Sequence, residues 1–341
     1  MKPWLLGKTL SELTETAVQF GFPTFVGKQL ADWLYKKKVS QIDEMKNLSK
    51  AARSILSEHF EVGGFAPSDT QQSKDGTRKY LFPTCNNHNI ESVIIPDGDR
   101  ATLCVSAQAG CKMGCKFCMT ARQGFQQNLS AGEILGQFTR VSETNELSNA
   151  VYMGMGEPMD NLDEVLKSLE ILTAPWGWAW SPRRITVSTI GVTPKMKRFL
   201  DENQCHLAVS LHNPFADERY ELMPIQKAYP ISEVIDLIKQ YDFTGQRRVS
   251  FEYILFEGIN DTLRHANELV RLLNGLECRV NLIRFHAIPD CALKSSNETA
   301  VENFKNHLNK KGILTTVRAS RGEDILAACG LLSTKNAAKQ Q

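Results

Sequence analysis

Three cysteines, Cys111, Cys115 and Cys118, lie within one stretch of eight residues in the order C-x3-C-x2-C. Three thiolates this close cannot all serve disulfides, and they are one ligand short of the four that a structural zinc ion takes. A cubane iron–sulfur cluster also normally takes four cysteines, so a three-cysteine loop leaves one iron open to a further ligand. The spacing favours a [4Fe-4S] cluster. A zinc ion with a borrowed fourth ligand, or buried free cysteines, are the alternatives.

Alternating strand-like and helical runs after residue 101 would position this loop. The predicted strands are Thr102–Ser106, Ala150–Met155, Arg184–Thr189, His206–Leu211, Val249–Phe256 and Arg279–Arg284. The predicted helices are Ser130–Val141, Leu162–Leu172, Pro194–Leu200, Ile231–Tyr241, Thr262–Leu273 and Ala300–Lys310. Six strand–helix units predict parallel strands joined by right-handed crossovers.

Such units form either a barrel or a doubly wound sheet. No G-x-G-x-x-G follows the first strand, which weakens the nucleotide-binding doubly wound option. The cysteine loop lies directly after that strand, where the active sites of barrels are found. We therefore predict an α/β fold with a partial (β/α)6 barrel over residues 101–331. A last strand, Ile313–Arg318, leads towards Cys329, and residues 332–341 form a polar, flexible tail.

A small helical unit is predicted over residues 1–64. Thr9 or Ser11 begins its first helix, a second run covers Thr24–Lys37, and Ser49 caps Lys50–His59. The first 60 residues hold nine Lys or Arg against six Asp or Glu. The run Lys36–Lys38 is read as a solvated helix end, with RNA binding as the alternative.

Two β hairpins over residues 65–100 would link the helical unit to the barrel. Their predicted strands are Arg78–Pro83 and Ile90–Pro96, and a Pro-Asp-Gly-Asp turn closes the second. Glu91 stands at the start of an otherwise apolar strand. From the residues alone, it is expected to be an exposed carboxylate on a sheet edge.

Three further strand ends carry polar or flexible residues. Gly156-Glu157 follows the second barrel strand, where glycine admits a ligand to the backbone and a carboxylate accepts from an ammonium group. Ser188 ends the third strand, and Ser210-Leu211-His212 ends the fourth. Taken singly, these residues are typical of turns, caps or core positions, so only their shared barrel face suggests a binding site.

Taken together, these motifs resemble the RlmN/Cfr family of radical S-adenosylmethionine (radical SAM) RNA adenine methyltransferases. The resemblance rests on the cysteine loop with Phe117, the Gly-Met-Gly-Glu-Pro and Ser-Leu-His motifs, Cys104, and Cys329 in Ala-Ala-Cys-Gly. It extends from the N-terminal Gly27-Lys-Gln-Leu to Cys329. Several motifs in the right order are far more specific than any one of them.

The resemblance implies a mechanism that consumes two SAM molecules per turnover. Cys329 would take a methyl group from one SAM, and the cluster on the three loop cysteines would cleave the other to a 5′-deoxyadenosyl radical. The methyl on Cys329 would then become a radical that adds to an adenine ring carbon. Glu91, which matches the family's proton acceptor, would take the ring proton. Cys104 would attack Cys329, and a transient disulfide would release the RNA.

The same matching assigns SAM contacts to Gly156, Glu157, Ser188, Ser210, Leu211, His212 and His286. His286 departs from the family, which often has asparagine there, and imidazole cannot reproduce the two-way pairing of a carboxamide. Four cysteines match no functional position: Cys85, Cys205, Cys278 and Cys291.

Within this resemblance, Pro158 after Gly-Glu implies adenine C2 methylation rather than the C8 methylation of the Cfr type, which confers antibiotic resistance, because Cfr-like sequences tend to carry alanine at that position. C2 enzymes of the family act on the peptidyl-transferase centre of 23S rRNA and beside the anticodon of some tRNAs. Basic N-terminal helices, Arg78-Lys79 and Arg183-Arg184 would then contact the RNA backbone. The family also implies an external electron donor such as flavodoxin or ferredoxin, and we expect a monomer.

Composition agrees with such an enzyme without identifying it. The chain has 341 residues, is 42% hydrophobic and 23% charged, and carries a net charge of +2. It has no membrane-spanning apolar run and no signal-peptide core, so we expect a cytoplasmic protein. Thiols stay reduced there, so nine cysteines suggest metal binding or catalysis. Two alternatives remain: a non-catalytic RNA-binding protein that holds zinc, and a radical SAM enzyme acting on a peptide or small molecule.

Overall fold

The N-terminal residues form a helical unit. The structure, a computed structural model, describes residues 1–245 and 247–334. Its first helices are α1 (Leu10–Gln19), α2 (Phe25–Ala31) and α3 (Lys50–His59), with a π-helical turn at Asp32–Lys36 and a 3₁₀ turn at Ile42–Glu44.

The caps of these helices follow from short polar side chains. Thr9, rather than Ser11, begins α1: its hydroxyl accepts from the Glu12 N–H, and the Glu12 carboxylate accepts from the Thr9 N–H. Ser49 accepts from the Ala52 N–H at 3.1 Å and begins α3, as predicted.

Lys38 contacts the body of the protein instead of solvent. Its ammonium donates to the Thr144 carbonyl at 2.9 Å and to Asn145 at 3.0 Å, and lies 4.3 Å from the centre of the Trp178 ring. The solvated-end interpretation is therefore wrong for Lys38, while Lys36 and Lys37 are exposed. The cation–π contact and two hydrogen bonds fix the helical unit against the barrel.

Four antiparallel strands come next, which we call the ribbon: β1 (Asp69–Gln72), β2 (Arg78–Pro83), β3 (Asn89–Asp97) and β4 (Arg100–Cys104). Each strand pairs with the next. The ribbon continues the barrel sheet directly, because β4 also pairs in parallel with the first barrel strand after it. The domain boundaries at residues 64 and 100 stay predictions.

A short excursion after β4 carries the cysteine loop. It runs through β5 (Gln108–Ala109), the loop itself, α4 (Met119–Gln123) and β6 (Gln127–Asn128), and β5 pairs with β6. The loop therefore follows β5, a two-residue strand that the sequence did not predict, rather than β4 directly.

The barrel consists of parallel strands alternating with helices. Its strands after β4 are β7 (Asn149–Tyr152), β8 (Ile185–Thr189), β9 (His206–Ser210), β10 (Val249–Leu255), β11 (Cys278–Arg284) and β12 (Leu314–Val317). Its helices are α5 (Ala131–Thr139), α6 (Leu162–Thr173), α7 (Thr193–Glu202), α8 (Ala216–Leu222), α9 (Ile231–Ile238), α10 (Leu263–Leu272) and α11 (Glu298–Lys310). Short 3₁₀ turns occur at Pro158–Asn161, Pro182–Arg184, Pro224–Lys227 and Glu323–Ile325.

The strand order decides between the two predicted architectures. The ten-stranded sheet runs β1-β2-β3-β4-β7-β8-β9-β10-β11-β12, so the parallel strands follow one another in chain order. Such an order winds in one direction, as in a barrel, and the partial-barrel prediction is confirmed. The predicted strand ends shift by up to three residues: β4 ends at Cys104 instead of Ser106, where its pairing with β7 stops.

Both faces of the parallel strands are covered, one by helices and the other by side chains that fill the barrel. Val187, Leu207 and Phe251 on neighbouring strands are completely buried. Among the described residues, no helix is long and apolar enough to span a lipid bilayer.

Candidate active site

The cysteine loop lies under aromatic packing at the carboxyl end of the strands. Cys111 and Cys115 are each 8% exposed. Phe117 is buried, and its ring lies 4.9 Å from that of His212, edge to face, and 5.5 Å from that of Phe256. All three loop cysteines line one cavity of about 150 Å³, which we call the inner cavity.

The three thiols face one space that could hold a cluster. Among residues 1–245 and 247–334, no three His, Cys, Asp or Glu side chains converge closely enough to chelate one metal ion. Around a cubane, each thiolate binds a different iron, so the sulfurs are spread around a shared space. Three thiols that line one cavity are compatible with that arrangement.

Gly156 and Glu157 form the next part of the inner cavity wall. Gly156 has φ +97°, and a Cβ there would lie 2.4 Å from the Gln108 side chain, so only glycine fits. Glu157 is buried, and its carboxylate accepts from the Met159 N–H at 3.1 Å and the Ile190 N–H at 3.0 Å. Burial raises the pKa of Glu157 to about 7, although hydrogen bonds from Thr189 and these amides oppose the rise.

His212 lines the inner cavity as a neutral imidazole. Its Nδ1 accepts from the Ile254 N–H at 3.0 Å, which leaves the proton on Nε2 as a hydrogen-bond donor. Burial, with a smaller effect from Arg219, lowers the pKa of His212 to about 3. Ser188 and Ser210 line the same cavity.

Two residues matched to SAM lie elsewhere. Leu211 is completely buried and outside the inner cavity lining; its carbonyl accepts from the Arg219 guanidinium at 3.0 Å. His286 lines a neighbouring space instead, where its Nε2 lies 3.2 Å from the Ser320 hydroxyl.

That neighbouring space, the outer cavity, has a volume of about 340 Å³ and brings Cys329 together with two cysteines more than two hundred residues before it. Cys104, Cys118 and Cys329 all line it, with Arg318 in a wall that it shares with the inner cavity. Cys104 is 9% exposed, whereas Cys329 is exposed. Burial, helped by the nearby Cys329, raises the pKa of Cys104 to about 12, and Arg318 opposes this rise.

Glu91 lies on the same face of the ribbon as Cys104, because Cys104 pairs with Val93, two residues along β3. It is 5% exposed: one carboxylate oxygen lies 3.1 Å from the Lys79 ammonium, and the other accepts from the Ser333 N–H at 2.9 Å. Burial raises the pKa of Glu91, against the opposing effect of Lys79.

Two expectations about this region are wrong. Glu91 is not an exposed edge carboxylate, because β3 is an interior strand paired with both β2 and β4. Lys79 is 9% exposed and paired with Glu91, so it does not face RNA from the surface. Arg78 is engaged with Glu143, whereas Arg183 and Arg184 are exposed.

Three charged residues beside the cavities, the buried Glu252 and Arg219 and the half-buried Arg318, were missed by sequence reasoning. Glu252 lies in the middle of β10, where it accepts from Asn281 at 2.8 Å. Arg318 follows β12 and lies 3.4 Å from Glu252. Arg219, fully buried in α8, donates to the carbonyls of Leu211, Ser210 and Ile190. A carboxylate inside an apolar strand was a readable signal for Glu252. Arg219 stands among the charged residues of α8, a helix that was not predicted.

The four unassigned cysteines do not line these cavities. Cys205 is buried, Cys278 and Cys291 are half-buried, and Cys85 is exposed.

Comparison with known proteins first gives the class. Residues 105–272 match the Radical SAM superfamily, and residues 4–62 match the Ribosomal RNA large subunit methyltransferase N-terminal domain. A radical SAM methyltransferase from Sphaerobacter thermophilus superposes with a TM-score of 0.91 at 40% identity, covering 97% of this chain and 99% of that one. The protein is a radical SAM enzyme, a class that uses a [4Fe-4S] cluster and SAM.

The family follows from full-length relatives. The chain is 60% identical to the probable dual-specificity RNA methyltransferase RlmN of Parabacteroides distasonis, over 98% of this chain and 97% of that protein. It is 43% identical to the dual-specificity RNA methyltransferase RlmN of Syntrophus aciditrophicus, over 96% and 95%. The chain belongs to the RlmN family of radical SAM RNA methyltransferases, so the alternative of a non-catalytic zinc protein does not hold.

Proposed function

We propose that this enzyme converts adenosine to 2-methyladenosine in 23S rRNA, at the peptidyl-transferase centre, and in tRNA, beside the anticodon. The observation that carries the proposal is the outer cavity, where Cys104 and Cys329 lie beside Cys118 of the cysteine loop. A radical SAM enzyme needs no such thiol pair to make a radical. Relatives named as dual-specificity RNA methyltransferases support the two RNA substrates.

The inner cavity would hold the cluster and SAM. Cys111, Cys115 and Cys118 would each bind an iron, and the Gly156 backbone would admit the amino end of SAM to Glu157. Neutral His212 would donate from Nε2 to an acceptor on SAM, and Ser188 and Ser210 offer hydroxyls. Leu211 would act through its backbone at the end of β9, where its carbonyl accepts from Arg219. His286 would contact SAM from the outer cavity.

When bound, the cluster and SAM supply the methyl group, the radical that activates it, and the acceptor for the electron released when the ring becomes aromatic again. Cys329 carries the methyl group as a thioether, for which its exposure at the outer cavity leaves room. Adenine C2 is not nucleophilic and cannot take a methyl group directly. The chain therefore contributes the Cys329 sulfur, which lines both cavities and would carry the methyl group from SAM to the base.

Glu91 would take the proton from adenine C2. A carboxylate held largely out of water is a stronger base than an exposed one, and burial raises the pKa of Glu91. The Lys79 ammonium holds one of its oxygens, and the other accepts from the Ser333 N–H.

Cys104 would release the product. Its thiolate attacks the Cys329 sulfur, the S–S bond forms, and the bond from sulfur to the methylene carbon breaks. The electron pair stays with that carbon, which takes a proton and becomes the methyl group. The two thiols lose two electrons and the carbon gains them, so the step balances.

The base must leave its stack to reach the outer cavity, so RNA shape rather than sequence would dominate recognition. Arg183, Arg184 and the N-terminal basic residues would contact phosphates, and these contacts predict salt-dependent affinity. Pro158 favours C2 over C8. The enzyme would work as a monomer in the cytoplasm, where both RNAs occur. It would receive electrons from flavodoxin or ferredoxin.

The test is mass spectrometry of nucleosides from rRNA and tRNA. A strain that lacks the gene is compared with strains complemented by the wild type or by Cys329→Ala. We expect 2-methyladenosine to disappear on deletion and to return with the wild type alone. Appearance of 8-methyladenosine would establish the Cfr-type reaction instead, and unchanged nucleosides would refute both.

A further inference from the structure

The segment that carries Cys329 is a loop, residues 318–334, which we call the Cys329 loop. Its later part is anchored to α4: the Met119 N–H donates to the Gly330 carbonyl at 2.8 Å, and the Thr120 hydroxyl donates to the Leu332 carbonyl at 2.7 Å. A cysteine in an exposed loop needs a second anchor before its sulfur has a defined position.

The second anchor is the β1–β2 turn, residues 73–77. Asp75 accepts from the Gly322 N–H at 3.0 Å, and the Ser73 hydroxyl donates to the Asp324 carboxylate at 2.5 Å. The Lys74 N–H donates to the other Asp324 oxygen at 3.2 Å. We call these three hydrogen bonds the clasp.

The clasp is built on both sides. Within the turn, Asp75 also accepts from the Thr77 N–H at 2.9 Å, which orients its carboxylate towards the Cys329 loop. In the loop, Gly322 has φ +63°, and a Cβ there would lie 2.9 Å from Thr77. Burial alone would raise the pKa of Asp75, but the amide donors, Gly322 first, hold it well below its usual value, so the clasp is ionised at neutral pH.

The ribbon connects the clasp to Cys104. The turn leads into β2, which pairs with β3, and β3 pairs with β4 through Val93 and Cys104. Cys104 and the clasp thus belong to one hydrogen-bonded frame. The Cys329 loop is held to this frame before Cys329 by the clasp and after Cys329 by Ser333 and Glu91.

We propose that Ser73 and Asp75, with Asp324, are positioning residues that hold Cys329 within reach of Cys104 for the thiol attack that releases methylated RNA. The inference rests on the proposed function of the two cysteines. The attack forms the S–S bond and expels the methylene carbon, which keeps the electron pair and takes a proton from water. It needs the two sulfurs in line, and a displacement of about 1 Å can slow such a reaction about a hundredfold.

The test compares wild type with Asp75→Asn, Asp324→Asn and the double variant. Asn keeps the shape but removes one acceptor oxygen from each carboxylate. The matched control is Asp99→Asn, which removes an exposed carboxylate from the β3–β4 turn of the same ribbon. Thermal unfolding and the mass of methylated Cys329 establish that each variant is folded and loaded.

Two readouts follow release itself. Denaturing gels after reaction with an RNA fragment show covalent protein–RNA adduct, which persists in Cys104→Ala. We expect the clasp variants to methylate Cys329 normally but to accumulate adduct, with release about tenfold to a hundredfold slower. A mild oxidant such as diamide should also join Cys104 to Cys329 more slowly, by a similar factor.

Release and oxidation rates within twofold of wild type in the double variant would refute the positioning role that we propose for the clasp. An absence of adduct in Cys104→Ala with an unmethylated Cys329 would overturn the proposed function instead. Oxidation of Cys104 and Cys329 to a disulfide needs no RNA. Its rate therefore tests whether the clasp positions Cys329 even in that case.

Discussion

Two sets of cysteines meet in this enzyme, and they are built in opposite ways. The cysteine loop holds Cys111, Cys115 and Cys118 within eight residues, in a turn packed under Phe117. Cys104 and Cys329 are more than two hundred residues apart, one at the end of a sheet strand and the other in a loop held by side-chain hydrogen bonds.

The difference separates general from particular chemistry. A local motif can be transferred among many enzymes, because it needs little from the surrounding fold to bind its cluster. A long-range pair depends on the ribbon, α4 and the barrel together, and on the outer cavity that they enclose. We therefore expect the cysteine loop to generate the radical, and the pair of Cys104 and Cys329 to determine which reaction the radical carries out.

The largest effect is expected when one cysteine is removed from either set. Cys118→Ala and Cys329→Ala should both abolish 2-methyladenosine formation, but for different reasons. Cys329→Ala should keep the brown colour and iron content of the wild type, whereas Cys118→Ala should lose most of both. Visible absorption and iron analysis distinguish them, and a Cys118→Ala protein with a full iron complement would refute the ligand assignment.

Cys104→Ala should allow the methylene carbon to bond to the base but should block release of the product. The methylene bridge between Cys329 and the base would form once and remain, because no thiol completes the exchange. We expect no more than about one RNA per enzyme, recovered as a covalent adduct. Cys85→Ala, at an exposed cysteine outside both cavities, is the control and should turn over normally. Multiple turnovers by Cys104→Ala would disprove the release step.

Glu91→Gln should slow RNA methylation by about 10²–10⁴-fold, because the proton acceptor is lost. It should also destabilise the fold by about 3–5 kcal/mol, because the buried Lys79 is left without its partner. Cys329 should still be methylated, as protein mass spectrometry can show.

The double variant Lys79→Met/Glu91→Gln separates the two effects of that change. Its unfolding free energy should return towards the wild-type value, while RNA methylation stays low. Recovery of activity in the double variant would mean that Glu91 matters only for stability.

The smallest expected effect concerns the contact between the two cysteine sets. Thr120→Val removes the hydroxyl that α4 donates to Leu332, at a cost of about 1 kcal/mol and little change in shape. We expect full cluster content and product formation slower by about fivefold, the rate equivalent of about 1 kcal/mol. Thr173→Val, which loses a bond within α6, is the control. An equal rate loss in both variants would assign the effect to general stability.

Most of the fold was predictable because hydrophobic periodicity is a local property. The alternation after residue 101 gave every barrel strand, and the absence of a dinucleotide motif favoured the barrel. Short elements were missed: β5 has two residues, and its pairing with β6 depends on how the cysteine loop folds back.

The candidate site was predictable to different depths. The cysteine loop could be read from spacing, while Cys104, Cys329 and Glu91 required the resemblance to a family, and their roles stay predictions. Residue patterns place Glu91 on an edge because they do not reveal that β3 pairs on both sides. Arg219 and Arg318 escaped for a related reason: their partners lie far from them in sequence.

The separation of the two cysteine sets also orders events during synthesis. The ribbon and the cysteine loop leave the ribosome roughly two hundred residues before Cys329. At 5–20 residues per second, this interval is on the order of 10–40 s, long enough for the early strands to pair. The nascent protein therefore has the cluster ligands that we propose before it has Cys329, the proposed methyl carrier. The segment around Cys329 completes the outer cavity, and a chain truncated before it would keep the three loop cysteines without the exposed thiol of Cys329.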